Sequence, residues 1–349
     1  MGAQSALLLD ESIRRTVYIR ELLNSKDRIF AYSRAVQDSY AKEFTAVKHD
    51  IRLMNFARDI VGAVSDCYIL YAIAMMGVCD IECVQLFLTT LSDKHKDLSI
   101  SDMKDRDGVK KRVDALVKHG FLFKHRFEYK TENLQGKKQT KKINLYSIEK
   151  SCQHLVTQRL GVQLAVNEWI DAKPLSELMG WAACAYVRGR IVERGNFLEY
   201  KQGVIRTKAI GTAMYPGEVK LSGKNGESIT VGFIQAFMRH NKAIQTREQF
   251  EDSCLYTVNT IRQFFYVKDL KKKESCVVVV VEDNPDLMTA ANFIYRTGIL
   301  ANDYDRIFFT GEGVMRNAKT EAVPECFLQL KDRGDGYDFV QAQVPFLPD

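Results

Sequence analysis

Residues 276 to 281 read Cys-Val-Val-Val-Val-Val, and no other stretch of the chain restricts the fold as much. A strand with one solvated face alternates apolar and polar side chains, because successive side chains point to opposite faces. Nothing alternates here, so both faces must be covered, as in the central strand of a layered α/β sheet. The flanking pattern agrees. Thr246 to Val267 places Phe250, Leu255, Val258, Ile261 and Phe265 along one side of a long helix. Asn284-Pro285 caps and starts a helix running to Gly298, and Arg306 to Thr310 is a further strand. Upstream, Leu175 to Arg190 reads as a helix with a small-residue face (Gly180, Ala182, Ala183, Ala185). Strands are expected at Phe197 to Arg206, Gly217 to Leu221 and Ser228 to Phe237. Residues 173–349 are therefore expected to form an α/β domain.

A chain of 349 residues has room for two or three such domains. Between 10 and 60, apolar residues fall at helical spacing (Ile13, Val17, Leu22, Ile29, Phe30, Val36, Phe44, Val47, Ile51, Met54) with neither Pro nor Gly. One or two long amphipathic helices are expected over residues 1–60, able to pair with a copy of themselves in a homodimer or to pack on the next domain. From Ser65 the elements shorten. Ser65 is placed to cap the apolar run Cys67 to Met76, which stops at Gly77, and Asp80 to cap Ile81 to Leu91. Ser101 or Asp102 opens a third helix with Val109, Val113, Leu116 and Val117, ending at His119-Gly120. Phe121 to Tyr129 then alternates as a strand, Asn133 to Thr140 is a polar turn, and Ile143 to Ile148 returns. Three short helices followed by a hairpin with a basic tip are the layout of a winged helix-turn-helix over 61–150.

Charge is concentrated in this region. The chain carries +6, yet residues 104 to 142 hold thirteen Lys/Arg against five Asp/Glu, a local +8 that leaves −2 for the rest. Clustered cations suit a polyphosphate, since each neutralised phosphate releases counterions. Double-stranded DNA is thus the expected partner. On the third helix the candidates are Lys104, Arg106, Lys110, Lys111 and Arg112, and on the hairpin Lys124, Arg126, Lys137, Lys138, Lys141 and Lys142. A winged helix used only for protein contact is the competing expectation.

Enzyme signatures are sparse. A Mg²⁺-dependent nuclease of the PD-(D/E)XK type needs carboxylates on adjacent strands to hold the ion and a Lys to assist the attacking water. Glu218-Val219-Lys220 matches Glu-x-Lys, with Glu199 upstream, but the next strand, Val231 to Phe237, brings no carboxylate. These three residues are the weak catalytic candidates, and magnesium enters only with that nuclease alternative; otherwise no cofactor is expected and the chain is read as more a binder than an enzyme. Arg239 and His240 follow the strand and could meet phosphate. Gly311-Glu312-Gly313 lacks the third glycine and following helix of a dinucleotide loop and reads as a turn. Cys79 and Cys83 stand one helical turn apart without a second pair at finger spacing, so the eight cysteines read as buried thiols in a reducing compartment rather than zinc ligands. No run approaches the apolar length of a membrane span, and a cytoplasmic protein is expected.

The segment Val113-Asp114-Ala115-Leu116-Val117-Lys118-His119-Gly120-Phe121-Leu122, with a small α/β domain behind it, resembles the replication-relaxation family of plasmids and integrative elements. The resemblance covers about residues 60 to 315. It implies a multidomain α+β protein with a winged helix and an α/β domain like a degenerate PD-(D/E)XK nuclease. Tyr215-Pro216-Gly217-Glu218 is similar to the family's first acidic site, whereas Gly232-Phe233 stands where a second strand would carry Glu. The resemblance therefore implies a DNA-binding accessory or initiator-like role in element replication, transfer or its regulation, without nicking.

Overall fold

The computed structural model describes residues 39–43, 49–58, 63–94, 105–132, 138–161, 175–194, 196–207, 211–223, 226–236, 247–267, 272–281, 284–334 and 337–347. The protein is α+β, and its contacts divide it into two compact units, one spanning Ala35–Gly189 and the other taking in Arg190–Asp349.

The first unit runs β1 (Ser39–Glu43), α1 (His49–Ala57), α2 (Val64–Met76), β2 (Val78–Cys79), α3 (Ile81–Lys94), α4 (Arg106–Lys118), β3 (Leu122–Glu132), β4 (Lys138–Ile148) and α5 (Lys150–Leu160). Its sheet has the order β1-β3-β4-β2, with every pair antiparallel. Local chemistry sets the element ends. Helix α2 is buried along most of its length and stops where Gly77 takes φ 80, its N–H returning to the Ile73 carbonyl at 2.8 Å. Asp80 caps α3 by accepting from the Cys83 N–H at 2.9 Å. Asp105 caps α4, accepting from the N–H groups of Asp107 and Gly108.

Two expectations about caps need correction. Helix α2 starts at Val64, one residue before Ser65, and its N-cap Ala63 makes no side-chain bond. Burial of an almost wholly apolar helix makes up for the missing cap. The N-cap of α4 is Asp105, while Ser101 and Asp102 lie outside the described residues. The expected N-terminal helices are corrected more deeply. Ser39–Glu43 is a strand, paired in register with Lys124–Glu128 of β3, and only His49–Ala57 is helical. Residues 1–38, with most of the supposed dimer-forming face, lie outside the described residues. Without β1 the outer edge of β3 would leave backbone groups unpaired, and satisfying them outweighs a helical spacing of side chains over five residues.

The long helix α6 (Leu175–Arg194) contains the division between the units. In the first unit Tyr186 donates to Glu82 on α3 at 3.0 Å, and the buried Arg188 donates to the Met75 carbonyl at 3.0 Å.

The second unit continues with β5 (Asn196–Thr207), β6 (Gly211–Ser222), β7 (Ser228–Gln235), α7 (Arg247–Val267), β8 (Ser275–Val281), α8 (Asn284–Thr297), β9 (Ile307–Gly311), α9 (Glu312–Asn317), β10 (Leu328–Asp332) and β11 (Tyr337–Gln341). These strands form one seven-stranded sheet, β11-β10-β9-β8-β7-β6-β5. The three central strands β7, β8 and β9 are parallel and the outer pairs antiparallel. All seven residues of β8 are buried, as the unbroken valine run requires. A small polar group also lies in this core: Arg306 donates to Asp303 and Ser275, and its guanidinium sits 3.6 Å from the centre of the Phe265 ring. Gly311-Glu312-Gly313 is not a simple turn, because Glu312 starts the short helix α9, held by an ion pair to Arg316 one turn later.

Among the described residues, no helix is long and apolar enough to cross a membrane. The seven described cysteines are buried thiols, and burial pushes that of Cys326 up to about 12.

Candidate functional site

Helix α4 concentrates the candidate residues. Val109, Val113 and Leu116 are buried, so the helix lies with one face in the core of the first unit. Arg106, Lys110, Lys111 and Lys118 are exposed: Lys111 and Lys118 lie on the opposite arc with Asp107, Lys110 on the flank, and Arg106 in the first turn nearly in line with Val113. At 3.6 residues per turn Lys118 stands nearly above Lys111, which is the signal that could have added it to the candidates. Lys110 reaches one turn forward to Asp114 at 2.8 Å, and that hydrogen bond holds its ammonium above the ordinary lysine range. Arg106 and Lys111 have no acidic partner among the described residues.

Arg112 belongs elsewhere. Its Nε donates to Asp66 Oδ1 at 2.7 Å and its Nη2 to Asp66 Oδ2, a two-pronged pair with a carboxylate that is fully buried in the first turn of α2. Two nitrogens of its guanidinium are thus taken by an internal acid, while its side chain stays 35% exposed. Burial raises the Asp66 carboxyl above its usual range, against the lowering effect of Arg112 and His119.

The hairpin β3–β4 is eleven paired residues long, from Leu122 opposite Ile148 to Glu132 opposite Lys138. Its buried face carries Phe127, His125 and Leu145, with His125 hydrogen-bonded to Ser147 at 2.9 Å. The other face carries the cations, and they meet acids. Glu43 of β1 lies between Lys124, at 3.7 Å, and Arg126, at 2.5 Å. Lys142 pairs with Glu128 directly across the ladder at 2.8 Å. Lys138 and Lys141 lie on β4 opposite Glu132 and Tyr129, but their side chains, like Lys104 and Lys137 altogether, are outside the described residues. Among the described residues, Lys124, Arg126 and Lys142 of the hairpin meet acids, whereas Arg106 and Lys111 of α4 do not.

The catalytic candidates Glu199, Glu218 and Lys220 share one face of the β5–β6 ladder, with Lys220 directly across from Glu199. Glu199 is half-exposed and pairs with Lys201 at 3.4 Å, while in the β5–β6 register it faces Lys220. Glu218 is only 4% exposed and accepts a hydrogen bond from the Tyr215 hydroxyl. Its neighbour on β7 is Gly232, over which the Phe264 ring of α7 packs so closely that a Cβ there would come within 2.7 Å of it. A bound cation needs several oxygen ligands converging from one side. Among the described residues no group of three or more His, Cys, Asp or Glu side chains could hold a metal ion. Arg239 and His240 lie outside the described residues.

Comparison of the chain with protein-family models, with curated proteins and with solved structures found no match.

Proposed function

We propose that the chain binds double-stranded DNA through its first unit, with α4 entering the major groove and the β3–β4 hairpin lying beside it as a wing. Element order supports this. The run α2, β2, α3, α4, β3, β4, in which β2 returns to pair with β4, matches the order expected of a winged helix-turn-helix and supports that reading. The observation that carries the proposal is the setting of α4: its apolar residues are buried and Arg106, Lys110, Lys111 and Lys118 are turned outward on the helix that this fold presents to DNA. The footprint is narrower than the full set of cations in this reading, because Arg112 pairs with the buried Asp66, and Lys124 and Arg126 share the partly exposed Glu43.

The second unit serves as a scaffold in this reading. Its succession of three antiparallel strands, crossover helix and parallel strand supports a PD-(D/E)XK-like framework, but the buried, tyrosine-bonded Glu218 argues against metal-dependent cleavage. The role follows as that of a DNA-binding accessory or initiator-like protein of a plasmid or other mobile element. A relaxase or coupling gene beside its gene would support that role.

The test is fluorescence anisotropy of a labelled duplex across a salt series. Binding whose affinity falls steeply with salt is expected. After Arg106→Ala or Lys111→Ala the fall should be shallower, by about one unit of slope for each phosphate no longer neutralised. Absence of salt-dependent affinity would point to a winged helix that serves protein contact alone. Nicking of supercoiled plasmid in Mg²⁺ that disappears with Glu218→Gln would establish the nuclease instead.

A further inference from the structure

We infer that Asp66 and Arg112 are positioning residues for DNA recognition: their pairing sets how far α4 is rotated about its axis, and so which side chains it offers to the groove. The inference rests on the DNA-binding reading above and assigns a role in it to two residues that do not touch the nucleic acid.

Four observations lead here. Arg112 lies roughly 100° round the helix from Lys111, on the flank between the buried stripe and the outward arc. The Nε and Nη2 contacts to two different oxygens of one carboxylate fix the plane of the guanidinium, and not merely its distance. Asp66 is enclosed by the fold. It is fully buried in the first turn of α2, where the positive end of the helix dipole favours a negative charge. Finally, the far end of α4 is held separately: His119 lies 3.4 Å from the Asn55 side chain on α1, and Phe121 stacks on Phe56. Between these two attachments a helix of thirteen residues can neither roll nor tilt freely. Its buried residues alone would not prevent rolling, because Val109, Val113 and Leu116 form a narrow stripe of smooth aliphatic groups.

This role separates from a charge effect by sign. Changing Asp66 to Asn removes a negative charge close to a DNA-binding helix, so simple electrostatics makes the variant bind duplex more tightly. Loss of helix setting makes it bind more weakly. Changing Arg112 to Lys keeps the positive charge and an ion pair with Asp66 but loses the fork, because an ammonium has no fixed plane.

The experiment measures duplex affinity across a salt series for the full chain, for Asp66→Asn, for Arg112→Lys and for the double variant, with circular dichroism and thermal unfolding of each. Both single variants are expected to bind about tenfold more weakly near 0.1 M salt, the size of one phosphate interaction forgone. The double variant is expected to be no weaker than the worse single one, since both act through the same pair. Should Asp66→Asn fail to fold, Arg112→Lys carries the test, because its ammonium still neutralises the buried acid. Folded variants that bind as tightly as the parent, or an Asp66→Asn that binds more tightly, would overturn the inference. A parent chain with no salt-dependent duplex affinity would overturn the DNA-binding reading itself.

Discussion

Changing Glu43 to Gln should make the protein slightly less stable and its DNA binding stronger, two opposed effects from a single charge. Glu43 is the acid that lies between Lys124 and Arg126 at the base of the hairpin. Both its own side chain, 36% exposed, and that of Arg126, 39% exposed, are well solvated, so water screens much of the attraction. The stability loss should therefore fall in the lower part of the range for surface ion pairs, about 0.2–1 kcal/mol. The increase in binding comes from cations released to meet phosphate. Each new phosphate interaction steepens the dependence of log affinity on log salt by about 0.9, so one of them adds a roughly 3.5-fold loss of affinity over about a fourfold rise in salt. Two released cations would double that slope change. Denaturant unfolding reads the first effect and anisotropy titration at several salt concentrations the second. A folded Glu43→Gln protein whose salt slope equals that of the parent would refute the reasoning, because Lys124 and Arg126 would then not face the nucleic acid at all.

Other outcomes follow from the core. Gly232→Ala would drive a methyl group into the Phe264 ring, within 2.7 Å, and should cost about 1–3 kcal/mol of stability in denaturant unfolding; a near-neutral result would mean that α7 shifts easily on the sheet. Tyr215→Phe removes the hydroxyl that donates to the buried Glu218, and should destabilise by about 1–3 kcal/mol without altering duplex affinity. Asp66 should leave a trace in the pH dependence of folding. Its folded pKa is raised above the ordinary 3.8, so the native chain holds more protons than the unfolded one in the window just above that value. This group's contribution thus falls as pH rises through the window, and comparison of unfolding free energies for the parent and Asp66→Asn should show that slope vanish in the variant.

Much of the framework is legible from residue order because it rests on local chemistry. Helix α3 begins where Asp80 places its cap, α8 begins at Asn284-Pro285, and β8 follows from a run of valines that no half-exposed strand could tolerate. Gly77 and Gly120 take positive φ where the apolar period stops. What sequence reading misses is decided at a distance. Ser39–Glu43 has no strand alternation to speak of and becomes β1 only because β3 runs beside it. Strands β10 and β11 extend the second sheet by pairing with β9 and with one another, again a matter of partners far along the chain. The same limit applies to the candidate interface. Arg106, Lys110 and Lys111 are exposed, and for Lys111 helical spacing alone assigns that side of the helix. Arg112 has the same spacing and the same charge, yet its role turns on Asp66, forty-six positions away. Counting cations reveals that a polyanion could be attracted; it cannot tell which of them already hold an acid inside the fold.

The short first strand has a consequence for how the chain can be cut or joined. A protruding hairpin of eleven-residue arms is a ready template for a foreign strand, and β1 shields its outer margin from Lys124 to Glu128. Trimming the chain to begin beyond residue 43 would remove the shield while leaving the rest of that unit's elements intact. Such a fragment, attractive as a minimal DNA-binding piece, should therefore self-associate through its wings, whereas one that keeps Ser39–Glu43 should stay dispersed.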